Sequence, residues 1–336
     1  MGKYDHLLEM VPLLVQIELT EACNLRCRFC YNSQKPRYNK NVYRMMDTLA
    51  DQGVMQLTLT GGEPLMHPDF FNILKYAVKK FPNVMILSNG VLMTEENVMR
   101  ISDSGVMSVS ISIHGTEDVH DALTFVQGSY ADSMRAIEKY LEVGRVPVAS
   151  NFVLNASNKS VLEKTANRFH DMGLQFMTIT RFVPVGIGKS AHDLEISRAD
   201  MIDAMFFADR FMKEFEYPNI EFAEAVPHCI VPPQLEYLAN TCSYGYDRFY
   251  VDVEGNMMVC GLSRIPLGGN ILKRKIIDIK RDSRVYKSYL EDSHIPPSCQ
   301  ICESLHKCHG GCRAASMRTG VWCGTMDSLL EEAFLV

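Results

Sequence analysis

Residues 13–30 read Leu13-Leu-Val-Gln-Ile-Glu-Leu-Thr-Glu-Ala-Cys23-Asn-Leu-Arg-Cys27-Arg-Phe-Cys30, an apolar run that gives way to three closely spaced cysteines. The run predicts a strand over 13–19. The cysteines then follow on its C-terminal side, where β/α barrels assemble their active sites. Three thiolates on one tight loop can hold three irons of a 4Fe–4S cube and leave the fourth open to substrate or cofactor. A structural zinc would require four ligands, and no fourth Cys or His is near in sequence. A ligand from a distant segment would restore the zinc reading.

Outward from this stretch, β-rich runs recur at 55–60, 84–88, 106–113, 148–154 and 176–180. Amphipathic helix patterns lie between them at 42–50, 70–80, 95–102, 133–143 and 161–172. Several of the strands are nearly continuous apolar runs, as in a parallel sheet covered by helices. Six such units predict an α/β fold built on a partial (β/α)6 TIM-like barrel, with a doubly wound sheet left open by rhythm alone. The rhythm is expected to stop after Pro184-Val-Gly-Ile-Gly188. A helix over 198–215 follows, then a proline-containing bridge and a hairpin, 248–253 with 256–260, around Glu254-Gly255. The expected division is a core at 1–195, a bridging helix and linker at 196–238, and a small cysteine-rich domain at 239–336.

Bulk properties narrow the class. Apolar residues make up 47% and charged residues 22%, and the formal net charge is −6. Such a chain has no whole-molecule attraction for nucleic acid or anionic lipid. Neither a signal peptide nor a bilayer-spanning apolar run is recognisable, so a cytoplasmic protein without membrane contact is expected. The reducing cytoplasm disfavours disulfides among the 11 cysteines, which points to metal or redox chemistry. Apart from Cys23, Cys27 and Cys30, all of them lie at Cys229 or beyond, so two separate regions are implied.

Cys23-x3-Cys27-x2-Cys30, with Phe29 before the last cysteine, resembles the signature of the radical S-adenosylmethionine (SAM) superfamily. The resemblance implies that the open iron chelates the methionine moiety of SAM. Reductive cleavage then yields a 5′-deoxyadenosyl radical that abstracts a substrate hydrogen. Thr60-Gly61-Gly62-Glu63-Pro64 ends the second strand and would by itself read as a plain Gly-rich turn. One β/α unit after the triplet it is similar to the family's GGE motif, which binds the SAM amino group. Alternation along the fourth strand puts Ser110, Ser112 and His114 on one face. The resemblance carries SAM contacts onto Asn89 and Ser112 at the strand ends, and Phe29 is grouped with them. Asn155 and Arg181 end the next two strands. Arg181 either pairs with a SAM or substrate carboxylate or caps the barrel by bonding backbone carbonyls. His67 and His120 have no ligand spacing and are read as structural.

The remaining thiols follow the order Cys242-x12-Gly255-x4-Cys260, Cys299-x2-Cys302-x5-Cys308-x3-Cys312, then Cys323. Cys299-x2-Cys302 alone resembles a zinc knuckle. The full order resembles the SPASM extension of radical SAM enzymes, which carries two auxiliary 4Fe–4S clusters. That resemblance implies Cys242, Cys260 and Cys312 for the first and Cys299, Cys302, Cys308 and Cys323 for the second, making three clusters in all. Cys229 falls outside the order. It is read as a fourth ligand of the first auxiliary cluster, a hydrogen-atom donor, or a small buried apolar residue.

The functional expectation is a radical SAM oxidoreductase or maturase acting on a peptide or protein side chain, fed by an electron donor such as flavodoxin or ferredoxin. The alternative is a small-molecule epimerase or dehydrogenase, kept open because only about a dozen residues precede the first strand. A zinc-binding interaction module is the third reading, and it leaves the Thr60–Pro64 and Ser110–Gly115 motifs unexplained.

Overall fold

The computed structural model describes residues 5–217, 219–317 and 323–331. A short helix, α1 (Asp5–Glu9), leads into β1 (Leu14–Thr20). There follow α2 (Val42–Asp51), β2 (Gln56–Gly61), α3 (Phe70–Lys80), β3 (Asn83–Ser88), α4 (Glu95–Ser102) and β4 (Ser108–Ser112). Then come α5 (Glu117–Thr124), α6 (Ser129–Val143), β5 (Val148–Leu154), α7 (Leu162–Asp171), β6 (Phe176–Arg181), α8 (Arg198–Glu214) and β7 (Asn219–Phe222). The chain continues through β8 (Arg248–Val251), β9 (Asn256–Met258), β10 (Pro266–Asn270), α9 (Ile276–Asp282) and α10 (Arg284–Leu290), then one-turn helices.

The helices form where pattern and caps agree. In α3 the buried residues Phe70, Ile73, Leu74 and Ala77 fall on one face at helical spacing. Thr94 caps α4 by accepting from the Asn97 N–H at 3.3 Å, and Glu95 and Glu96 in the first turn complement the helix dipole. Ser197 and Asp200 form a reciprocal capping box at the start of α8.

All the strands join one ten-stranded sheet of order β10-β9-β8-β1-β2-β3-β4-β5-β6-β7. From β8 across to β7 every pairing is parallel, and β9 and β10 add on antiparallel. Ile17, Leu59, Ile86, Ile111, Phe152 and Ile179 share one apolar core with the helix residues Met45, Ile73, Ile101, Ile137 and Phe169. Burial alternates along β4 and β5 and through most of β6, leaving Ser110, Ser112, Asn151, Thr178 and Thr180 half-buried. Register sets Ser112 opposite Asn151 and Asn151 opposite Thr178, so these residues share the face turned from the core, into the barrel.

The strand–helix rhythm runs further than expected. After Gly188, α8 returns the chain to β7, which pairs in parallel with β6. With only Ile220 and Phe222 buried, β7 is too short to carry a recognisable alternation. The hairpin forms as expected, with Gly255 at φ +90° in its turn. Its first strand, β8, also pairs with β1 from Leu14↔Arg248 to Ile17↔Val251. The sheet therefore runs across the boundary expected at 239.

Candidate active site and thiol centres

The loop after β1 is clamped from three sides. From β2, the Gly62 N–H donates to Thr20 O at 2.6 Å and the Glu63 N–H to Ala22 O at 2.8 Å. A Cβ at Gly61 would lie 2.3 Å from Thr20 O, and one at Gly62 2.2 Å from Ala22 O. The close approach these glycines permit is thus to the chain's own backbone at 20–22. From α5, Thr124 O and Leu123 O accept from the Arg26 and Arg28 N–H groups at 3.0 and 3.1 Å. From the segment after β6, the Gly188 N–H donates to Cys30 O at 3.0 Å, and a Cβ at Gly186 would lie 2.0 Å from Tyr31 O. Sequence reading took Pro184–Gly188 only as the end of a rhythm; its alternating glycines were the signal for this contact.

Cys23, Cys27 and Cys30 keep some exposed surface. Burial nevertheless pushes the thiol of Cys23 up to about 11, aided by Glu63 and Cys30, and raises Cys27 and Cys30 as well. The Leu25 N–H donates to Cys23 Sγ and the Asn32 N–H to Cys30 Sγ, each at 3.4 Å. A cationic iron–sulfur centre would supply the positive charge these thiolates lack. The donor set fits that group.

Glu63 adjoins this loop. Its carboxyl is buried and accepts from Ser88 Oγ at 2.9 Å, from the Asn89 N–H at 2.8 Å and from the Leu65 N–H at 3.1 Å. Burial pushes it up to about 7 against these bonds. Asn89 Nδ2 donates to Asn24 Oδ1 at 2.8 Å and lies 3.7 Å from Cys23 Sγ. The Phe29 ring sits edge-on to His114 at 4.7 Å between centroids, and His114 stacks on His120. Ser112 stands on the polar inner strip.

Asn155 and Arg181 are placed differently. Asn155 is fully buried, and its amide serves the turn after β5, donating to Val153 O at 2.9 Å and accepting from the Ser157 N–H at 3.0 Å. The inward amide on β5 is Asn151, which accepts from Thr180 Oγ1 at 2.5 Å. Sequence reading missed both, although the polar–apolar alternation of β5 and β6 marked them. The Arg181 side chain meets a carboxylate of the chain's own tail. Its two terminal nitrogens donate to the two oxygens of buried Asp327, each at 2.8 Å, and its N–H donates to Glu224 Oε2 at 2.7 Å. Asp327 Oδ2 also accepts from the Cys312 N–H at 2.9 Å.

The C-terminal thiols form two sets. Burial raises the Cys242 thiol, with the charges of Cys312 and Cys260 adding to it, so both lie within electrostatic reach of Cys242. Arg181 Nε, near Cys312, is buried without a hydrogen-bond partner among the described residues. In the second set Cys299, Cys302 and Cys308 line a small cleft together with Cys229, Pro227 and Leu330. Cys229, expected beside the first set, therefore lies in the second. Cys323, expected in the second, does not line the cleft; its Sγ lies 3.9 Å from Ser293 O. Among the described residues no three Cys, His, Asp or Glu side chains are grouped to hold a single metal ion.

A parallel sheet with a three-cysteine loop at the C-terminal end of β1, a buried Glu63 beside it and all-thiol sets further along is the arrangement of a β/α-barrel enzyme whose thiols fit iron–sulfur chemistry. Residues 17–180 match the radical SAM superfamily. That superfamily implies a 4Fe–4S cluster and SAM. The sporulation killing factor maturation protein SkfB of Bacillus subtilis (strain 168) is 28% identical over 82% of this chain, which spans 66% of SkfB. An AdoMet-dependent heme synthase of Methanosarcina barkeri is 26% identical over 97% of this chain and 96% of its own. Streptococcus suis SuiB bound to precursor peptide SuiA shares the fold, with a TM-score of 0.79 at 17% identity, covering 98% of this chain and 78% of SuiB. No helix among the described residues is long and apolar enough to cross a membrane.

Proposed function

We propose that this chain is a peptide-modifying radical SAM enzyme holding three 4Fe–4S clusters. Cys23, Cys27 and Cys30 hold the cluster that engages SAM, and the two C-terminal thiol sets hold the others. When bound, cluster and SAM supply a 5′-deoxyadenosyl radical that abstracts a substrate hydrogen. Glu63 accepts the SAM ammonium, Asn89 and Ser112 meet its polar groups, and Phe29 walls the site against His114. The functional division follows 1–195, 196–238 and 239–336 even though the sheet crosses the last boundary. A cytoplasmic setting and a flavodoxin- or ferredoxin-type electron donor suit a reduced, cluster-bearing protein.

The observation that carries this reading is the Arg181–Asp327–Cys312 connection. The strands are parallel, so the end of β6 lies at the same edge of the sheet as the loop after β1. An inner thiol set there faces the SAM end of the barrel, where an electron from an oxidised substrate can be received. The peptide as substrate class rests on the names of SkfB and of the SuiB–SuiA complex. The test supplies reduced, reconstituted protein with SAM and synthetic Cys-, Ser- or Lys-rich peptides, including the product of any such short reading frame found beside its gene. A mass change in the peptide, with peptide-dependent 5′-deoxyadenosine, is expected. Turnover of a tetrapyrrole with no peptide modified would move the assignment toward the heme synthase relative.

A further inference from the structure

Cys229 sits in the one-turn helix His228–Ile230, in the bridge that leads to the C-terminal thiols. That turn packs directly on the turn between Cys308 and Cys312: a Cβ at Gly311 would lie 2.9 Å from Pro227 Cγ. The His228 N–H donates to Cys308 Sγ at 3.4 Å, so the two segments meet at a sulfur. Cys299 and Cys302 are brought to the same place by a tight turn, with the Cys302 N–H on Cys299 O at 3.1 Å. Cys308 ends the one-turn helix Leu305–Cys308, and the chain reverses at His309 with φ +46°. The four thiols therefore converge from three separate turns on one cleft.

Cys323 is held elsewhere. Its residue is exposed, its Sγ faces Ser293 O, and the Gly324 N–H fixes the segment by donating to His294 O at 2.8 Å. Resting on the radical SAM and SPASM reading above, we propose that Cys229 is the fourth thiolate of the distal 4Fe–4S cluster, with Cys299, Cys302 and Cys308, and that Cys323 is not a ligand. The bridge is then stapled to the tail by a shared cluster, and the inner set keeps three thiols, Cys242, Cys260 and Cys312.

Thiol labelling of the full, anaerobically reconstituted chain tests this without a variant. Iodoacetamide followed by peptide mass mapping is expected to find Cys229 protected, although exposed, and Cys323 modified. Protection of Cys323 with modification of Cys229 would overturn the proposal. Two variants give a second readout in iron, sulfide and the spectrum of the reduced protein. Cys229→Ala is expected to lose up to about four irons or convert one cluster signal, while Cys323→Ala keeps the wild-type content. The reverse pattern would overturn the assignment and leave the three-cluster reading standing. A chain that binds only about four irons, with both cysteines labelled, would overturn that reading as well.

Discussion

Glu63 is where burial and charge oppose each other most directly. Its carboxyl is held at about 7 by the loss of water, while three donors from Ser88, Asn89 and Leu65 favour the ionised form. A docked ammonium would tip that balance toward the carboxylate. Glu63→Gln is expected to weaken SAM binding by about 2 kcal/mol, the scale of a charge-assisted hydrogen bond made neutral. Equilibrium binding to the reconstituted protein measures it, and an unchanged affinity would confine the carboxyl to holding the Ser88–Asn89 turn. Glu63 and the Cys23 triplet stand out as candidates in the sequence because their local spacing alone suggests a chemistry. Arg181 does not: its partner is 146 residues away, and nothing near position 181 announces Asp327. Nor does local spacing place Cys229, since only the folded chain brings its turn to Cys308.

At the scale of elements, the β2 strap fixes the loop that follows β1. A methyl at Gly62 would press on Ala22 O, and the backbone there has no room to yield. Gly62→Ala is expected to cost about 1–3 kcal/mol by denaturant titration, together with loss of iron from the N-terminal site. Wild-type stability and iron would show that the strap does not set the loop. The β4–α5 junction supplies a pH dependence. His120 is buried, its Nδ1 accepts from the His114 N–H at 3.0 Å, and burial lowers its pKa from 6.5 to about 4. The folded state binds fewer protons than the unfolded chain between these values. The stability is therefore fully present above about pH 6.5 and lost as pH falls through about 4, roughly 3 kcal/mol from this group. His120→Gln should flatten the acid limb of the stability profile, and an unchanged limb would place the acid sensitivity elsewhere. The first six strands were legible as apolar runs between helical patterns. The short helix α5 and the four-residue β7 carry too few periods for a pattern to emerge.

At the scale of the molecule, a buried ion pair and a shared sheet are among the contacts that join the tail to the barrel. Asp327 is fully buried and accepts from Arg181 and from the Cys312 N–H. Asp327→Ala leaves an uncompensated buried guanidinium and is expected to cost about 3–5 kcal/mol. A change in denaturation midpoint too small to resolve would show that the tail is held by other contacts. The parallel pairing of β8 with β1 lay beyond sequence reading, because a strand pattern states which residues alternate and not which strand they meet. Hence the hairpin was foreseen and its place in the barrel sheet was not.

The central claim is that Cys23, Cys27 and Cys30 form a cluster site chemically separate from the C-terminal thiols. The most direct measurement is 5′-deoxyadenosine released from SAM by reduced, reconstituted protein, wild type against Cys27→Ala, with iron counted on the same samples. The account predicts nucleoside and about twelve irons for the wild type, and no nucleoside with about eight irons retained for the variant. Equal nucleoside from both proteins, or tightly bound zinc in place of iron in the wild type, would contradict it.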